Sequence, residues 1–210
     1  MKTLLSANAT AAADSVLLPR DFLEITVKNR STGAAVIERL WSDSWDNFTA
    51  AVRDPATGTE PSYTWRGAYG LVDMDPIPRV SSIEVQRIEI RMLAFGSVTD
   101  EILRTYDPTL APVRIWRGFL NKTTRKMSAS AELRFLGFID DITIPTIPEG
   151  GEGWATITCV SKTQEATRFN PDTRSDASQQ KRSAGDTFYK DAASVGDWTI
   201  YWGQKKDSAA

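Results

Sequence analysis

Apolar residues recur at a spacing of two along this chain, and that spacing constrains its fold more than any other feature. Leu23, Ile25 and Val27 alternate with Glu24, Thr26 and Lys28, a pattern that buries one face of a β-strand and wets the other. Arg30-Ser31-Thr32-Gly33 is turn-forming, and residues 35–41 return as a second strand, so the pair predicts a hairpin. The same reading predicts strands at 63–67, 113–120, 132–144 and 154–160. Asp54-Pro55 and Thr57-Gly58-Thr59 make 53–62 a loop, Asp73, Asp75, Pro76 and Pro78 break the chain again, and 145–153 is a further loop. The fold class expected is mainly β, with one or two short helices.

Two places disturb the alternation. Between residues 82 and 95, Ile83 and Val85 share one parity while Ile88, Ile90 and Met92 share the other. A single strand cannot turn both sets to one face without an extra residue, which predicts a β-bulge near Gln86-Arg87. The parity shifts again around Gly137, a second bulge candidate. Strands that change face in this way belong to barrels or curled sheets. Ser97-Val98-Thr99-Asp100 has the form of a capping box and predicts a helix that turns Ile102 and Leu103 to the core and ends before Asp107-Pro108.

The ends differ from the middle. Residues 1–20 read as an N-terminal arm or short helix stopping at Pro19, and 21–168 as a β-barrel-type domain. Residues 169–210 read as an extended C-terminal arm. Its core-forming residues are few, chiefly Phe188, Tyr189 and a terminal strand, Trp198-Thr199-Ile200-Tyr201-Trp202, too little to fold without a surface to lie on. Arg168, Arg174, Lys181 and Arg182, mixed with Asp172, Asp176 and Asp186, form either a solvated loop or a docking arm that exchanges charged hydrogen bonds.

Composition narrows the chemistry. The chain has no histidine, which removes the commonest general base and the commonest zinc ligand. A single cysteine, Cys159, lies in the alternating run 155–160 and reads as a small buried hydrophobe rather than a reactive thiol. The net charge of −2 opposes a general nucleic-acid or membrane-surface binder, and no sequence-specific nucleic acid is expected as a partner. The apolar runs are too short to span a bilayer, and two leucines after Lys2 are too few for export, so synthesis in the cytoplasm is expected. Asp73, Asp75, Asp140 and Asp141 read as solvated turn aspartates, since Asp73-Met74-Asp75-Pro76 lacks the glycine and distal glutamate of a calcium loop. Ser31, Ser97 and Ser175 have no histidine to activate them, and no phosphate-loop, nucleophile-elbow or metalloprotease motif is present. No enzyme activity, cofactor or metal site is expected. Trp65-Arg66-Gly67 and Trp116-Arg117-Gly118 echo each other, as two stacked Trp–Arg pairs or as strand ends that coincide.

A set of motifs along nearly the whole chain carries a resemblance. The set begins with Met1-Lys2-Thr3-Leu4, Phe22-Leu23-Glu24-Ile25 and Trp65-Arg66-Gly67-Ala68-Tyr69-Gly70. It continues with the central strand and small helix, then Val113-Arg114-Ile115-Trp116-Arg117-Gly118-Phe119-Leu120 and Leu136-Gly137-Phe138-Ile139-Asp140. The most specific members are Arg174-Ser175-Asp176-Ala177-Ser178-Gln179-Gln180, Gly185-Asp186-Thr187-Phe188 and Ile200-Tyr201-Trp202-Gly203. In these the chain resembles the tail-tip or baseplate hub proteins of long-tailed phages, related to the hub of gene transfer agents. Ser178 stands where that family has an acidic residue and Ala184 where it has proline. The resemblance implies a β-barrel hub, homo-oligomeric and trimeric, that adapts a sixfold tube to a threefold tip. Its implied partners are the distal tail protein, the C-terminus of the tape-measure protein and a central tip or fibre protein. The implied location is the virion tail tip, after assembly in the host cytoplasm and with no membrane in the assembled state. The interface residues it points to are Arg174, Asp176, Gln179, Gln180, Asp186, Phe188, Trp198 and Trp202, with Trp41, Trp45 and Tyr201 as further aromatic anchors. The iron–sulfur cluster of some gene-transfer-agent hubs is not implied, because it takes several cysteines. Alternative expectations are a hexameric distal tail or tube-adaptor protein, a glycan-binding receptor module, and a glycan-active enzyme with paired carboxylates in a cleft.

Overall fold

The computed structural model describes residues 4–43, 46–67, 71–78, 80, 82, 84–94, 97–146, 153–168 and 172–197. The chain divides into two compact units, Met1–Thr167 and Arg168–Ala210. The first is mainly β: the strands are β1 (Pro19–Asn29), β2 (Ala35–Trp41), β3 (Phe48–Arg53), β4 (Ser62–Gly67), β5 (Leu71–Met74), β6 (Arg87–Leu93), β7 (Tyr106–Asp107), β8 (Pro112–Phe119), β9 (Ala131–Thr143) and β10 (Trp154–Ser161). The predicted hairpin is β1–β2, paired Phe22 to Trp41 through Lys28 to Ala35, with Gly33 at φ 70° supplying the left-handed turn. The sheet runs β3-β4-β2-β1-β8-β9-β10-β6-β5, and β3 also pairs with β9.

That extra pairing closes a ring. β1 pairs with β2, β2 with β4, β4 with β3, β3 with β9, β9 with β8 and β8 with β1. The ring encloses Phe22, Trp41, Trp65 and Trp116, with the small residues Ala50 and Ala131 making room for four large rings. Trp65 is fully buried, 5.1 Å from Phe22 and 5.8 Å from Trp116 in edge-to-face contacts, the arrangement that aromatic quadrupoles favour. Each indole N–H is satisfied by a carbonyl: Trp41 donates to Asp46, Trp65 to Ala50 and Trp116 to Arg53.

The other face of the same strands carries a second, aliphatic core. Leu23, Ile25 and Val27 of β1, Leu40 of β2, and Val113 and Ile115 of β8 meet Ile88, Ile90 and Met92 of β6 and Ile157 and Cys159 of β10. Neighbours in sequence thus serve different cores, Phe22 and Leu23 on β1, Leu40 and Trp41 on β2, Ile115 and Trp116 on β8. A helix, α2 (Ser97–Asp100), continues as a π-helical turn over Glu101–Thr105. It places Ile102 in the aliphatic core with Leu103 packed against it, as the sequence predicts. Arg66 of β4 ties this turn to the ring, donating to Glu38 at 3.0 Å and to Glu101 at 3.1 Å, while the Tyr106 hydroxyl donates to the same Glu101. Burial opposes the charge on Arg66, and the hydrogen bond with Glu101 and the carboxylate fields more than offset it, so its pKa is raised.

Four expectations need correction. The strand expected at 82–95 begins only at Arg87, so the parity change near Gln86 is the strand's start, not a bulge. Ile88, Ile90 and Met92 then face inward on one parity, and Val85 is exposed outside the strand; Ile83 lies outside the described residues. Gly137 is not a bulge either. It pairs in register with Val113 and Ser161. The extra residues in β9 are Arg134, between the pairs Trp116–Leu133 and Ile115–Phe135, and Asp140, between the pairs Thr158–Asp141 and Cys159–Ile139. The first bulge lets Leu133 pack on the aromatic core and Phe135 on the aliphatic one, although two residues apart in one strand share a face. The second lets Ile139 and Ile142 reach the same core from opposite parities. Asp73, Asp140 and Asp141 lie within strands β5 and β9, not in turns. Trp41 is core, not a surface anchor, because the ring closes over it.

Residues 1–20 contain a short helix, α1 (Ser6–Ala12), and β1 begins at Pro19, two residues before the expected start of the barrel-type domain at 21. The helix is pinned through buried polar groups. Asn8 donates to the Ser130 carbonyl at 3.0 Å and to Glu132 at 3.3 Å, and Glu132 also accepts from the Leu5 amide at 2.7 Å. These contacts satisfy a carboxylate that is almost wholly buried.

Candidate interface site in the C-terminal unit

Arg168–Ala210 holds most of the residues that the sequence marks for recognition. Its described part contains α3 (Asp176–Arg182), which the polar composition hides but local chemistry explains. Ser175 caps it, accepting from the Ser178 amide at 3.3 Å. Asp176 stands in the first turn and Lys181 and Arg182 in the last, each at the end of the helix dipole that favours its charge.

The polar side chains then organise one another. Gln180 donates to Asp176 at 2.7 Å along the helix, and Arg182 donates to Asp172 at 2.6 Å. Gln179 donates to Asp186 at 2.6 Å, and the other Asp186 oxygen accepts from the Phe188 amide at 3.0 Å. The Gln179 and Phe188 hydrogen bonds hold the Asp186 carboxyl below its usual pKa. This clamp fixes the turn after α3 and leaves Phe188 77% exposed, with Tyr189 against it edge-on at 4.9 Å.

Of the eight predicted interface residues, the structure joins Gln179, Asp186 and Phe188 in one clamp and pairs Asp176 with Gln180. Arg174 is exposed ahead of α3 and outside that clamp. Trp198 and Trp202 lie outside the described residues, as do Trp45 and Tyr201. No residue of 172–197 is buried.

The other candidates fall elsewhere. Asp73 pairs with Arg91 at 3.5 Å, Asp140 with Arg87 at 3.6 Å, and Asp75 accepts from the Glu89 amide. Among the described residues, no three acidic, cysteine or histidine side chains come close enough to hold a metal ion. Cys159 is buried, and burial pushes its thiol up to about 12. The Trp–Arg echo is a repeated inside–outside pair. Both tryptophans enter the aromatic core, Arg66 joins Glu38 and Glu101, and Arg117 grips Asp21 with two bonds of 2.7 and 2.9 Å. Among the described residues, Arg39 stacks on an aromatic ring, 3.8 Å from the Tyr63 ring centre; the two are far apart in sequence and lie on the paired strands β2 and β4, so no local motif announces them. No described helix is long and apolar enough to cross a membrane.

No protein family's profile matches the chain, and no curated protein matches it.

Proposed function

We propose that this chain is a non-catalytic structural subunit of a phage tail tip, a hub joining the tail tube and distal tail ring to the tip or fibre proteins. One observation carries the reading. Within 172–197, Gln179 and the Phe188 amide both bond to Asp186, no residue is buried, and an aromatic ring is held out in water. Exposed aromatics of this kind are anchors at protein interfaces, where burial against a neighbour repays the ordering of the segment. The motif resemblance points the same way, since its most specific members, Arg174–Gln180 and Gly185–Phe188, fall on this segment. A closed ring of strands with an aromatic core suits a rigid ring segment, and the arm suits the heterologous contacts that close an assembly.

Phe188→Asp tests it. Because Phe188 is exposed, the isolated variant should keep the circular dichroism and thermal midpoint of the parent. In the source phage the variant should yield tails that stop short of completion, seen directly in particle images. Normal numbers of infective particles would refute the proposal. Counting copies per ring in the same images separates the threefold hub from a sixfold tube adaptor.

A further inference from the structure

A pocket of about 160 Å³ opens on the barrel face of Met1–Thr167, where the 53–62 loop overhangs β8 and β9. Its walls are chiefly apolar, formed by Val52, Tyr63, Trp116, Leu133 and the exposed Leu136. An apolar cavity of about 150 Å³ accepts one benzene ring, so this one has the volume for a single aromatic side chain.

The rim adds a charge requirement. Arg39 stacks on the Tyr63 ring and donates to Glu24 at 2.8 Å, which fixes the wall in place. Arg114, half exposed at the mouth, stands 3.8 Å from the other Glu24 oxygen, beyond hydrogen-bond range. Two guanidinium groups thus face one carboxylate. Asp54, also at the rim, accepts from the Ala56 amide at 2.8 Å within its own loop. An occupant bringing a carboxylate to Arg114 completes the alternation of charge along Arg39, Glu24 and Arg114.

We infer that this pocket docks a short segment of a partner protein that carries an aromatic residue next to an acidic one. Leu136 extends the apolar surface beyond the volume of one ring, giving the flanking backbone somewhere to lie. The site belongs to the barrel and does not depend on the role given to the C-terminal unit.

The full chain, labelled with ¹⁵N, is titrated with the peptide acetyl-Gly-Phe-Asp-Gly-amide while the Trp116 indole N–H is followed by NMR. The expected result is a saturating shift. It should be absent with alanine in place of the phenylalanine and about tenfold weaker with asparagine in place of the aspartate, the size of one charge-assisted contact. Arg114→Gln should bind the aspartate and asparagine peptides alike, and Ala56→Leu, which crowds the pocket from an exposed loop position, should bind neither. The inference is overturned by no saturating shift at millimolar peptide, or by equal binding of the aspartate and asparagine peptides to the parent chain. It is equally overturned if 3-phenylpropionate binds as tightly as the peptide, which would make the site one for a free aromatic acid.

Discussion

Gly137 sits in β9 with β8 on one side and β10 on the other, and a methyl group there would strike the Val160 carbonyl oxygen and the Phe135 ring. The carbonyl is backbone, fixed by neighbouring strands, so it cannot yield. Gly118 is crowded too, but chiefly by the end of the Met127 side chain, which can swing away. Overpacking of this kind costs about 1–3 kcal/mol. Gly137→Ala should therefore lower the urea midpoint clearly and Gly118→Ala much less; equal midpoints for the two would refute this account. The sequence flagged Gly137 as special and misjudged the reason, because a glycine that admits a bulge and a glycine that admits a close backbone look alike in a one-dimensional pattern.

At the scale of elements, the clamp after α3 has a defined response to acid. The folded Asp186 carboxyl has a pKa below its ordinary value, chiefly through the Gln179 hydrogen bond. What the clamp contributes is therefore present above the ordinary carboxylate range and is lost as pH falls through and below it. The Phe188 amide, which donates to Asp186, should move upfield and broaden on acidification, and Gln179→Ala should shift that change to higher pH. An unchanged titration in Gln179→Ala would contradict the clamp. The same scale shows where sequence reading succeeds. β1, β2, β4, β8 and β10 are legible because each is rich in β-branched and aromatic residues, and Ile102 and Leu103 because a helix repeat puts them on one face. β3 was missed, since Phe48-Thr49-Ala50-Ala51-Val52-Arg53 packs small alanines against large rings and so lacks a bulky alternation. The bulges at Arg134 and Asp140 were misplaced, because only the partner strand reveals which residue is extra. Motif likeness points to the residues proposed for recognition in the C-terminal unit, but the clamp joining Gln179 to Asp186 spans a helix end that polar composition conceals.

For the whole barrel, the aromatic and aliphatic cores are built on shared strands, so they should melt together. Trp65→Ala empties the first and should cost about 3–5 kcal/mol, and Ile157→Ala empties part of the second and should cost about 2–5 kcal/mol. Each should lower one common unfolding transition, seen identically by tryptophan fluorescence and by far-ultraviolet circular dichroism. Two separated transitions in either variant would mean the cores are independent. Ile115 and Trp116 make the point in miniature: they are bonded neighbours, yet each is a tenant on a different side of the same wall. A wall of that kind cannot be rebuilt to suit one side alone. Any drift in β1 or β8 that eases the fit of an indole must also be acceptable to the leucine or isoleucine next door, so these strands should be the slowest part of the chain to accept change.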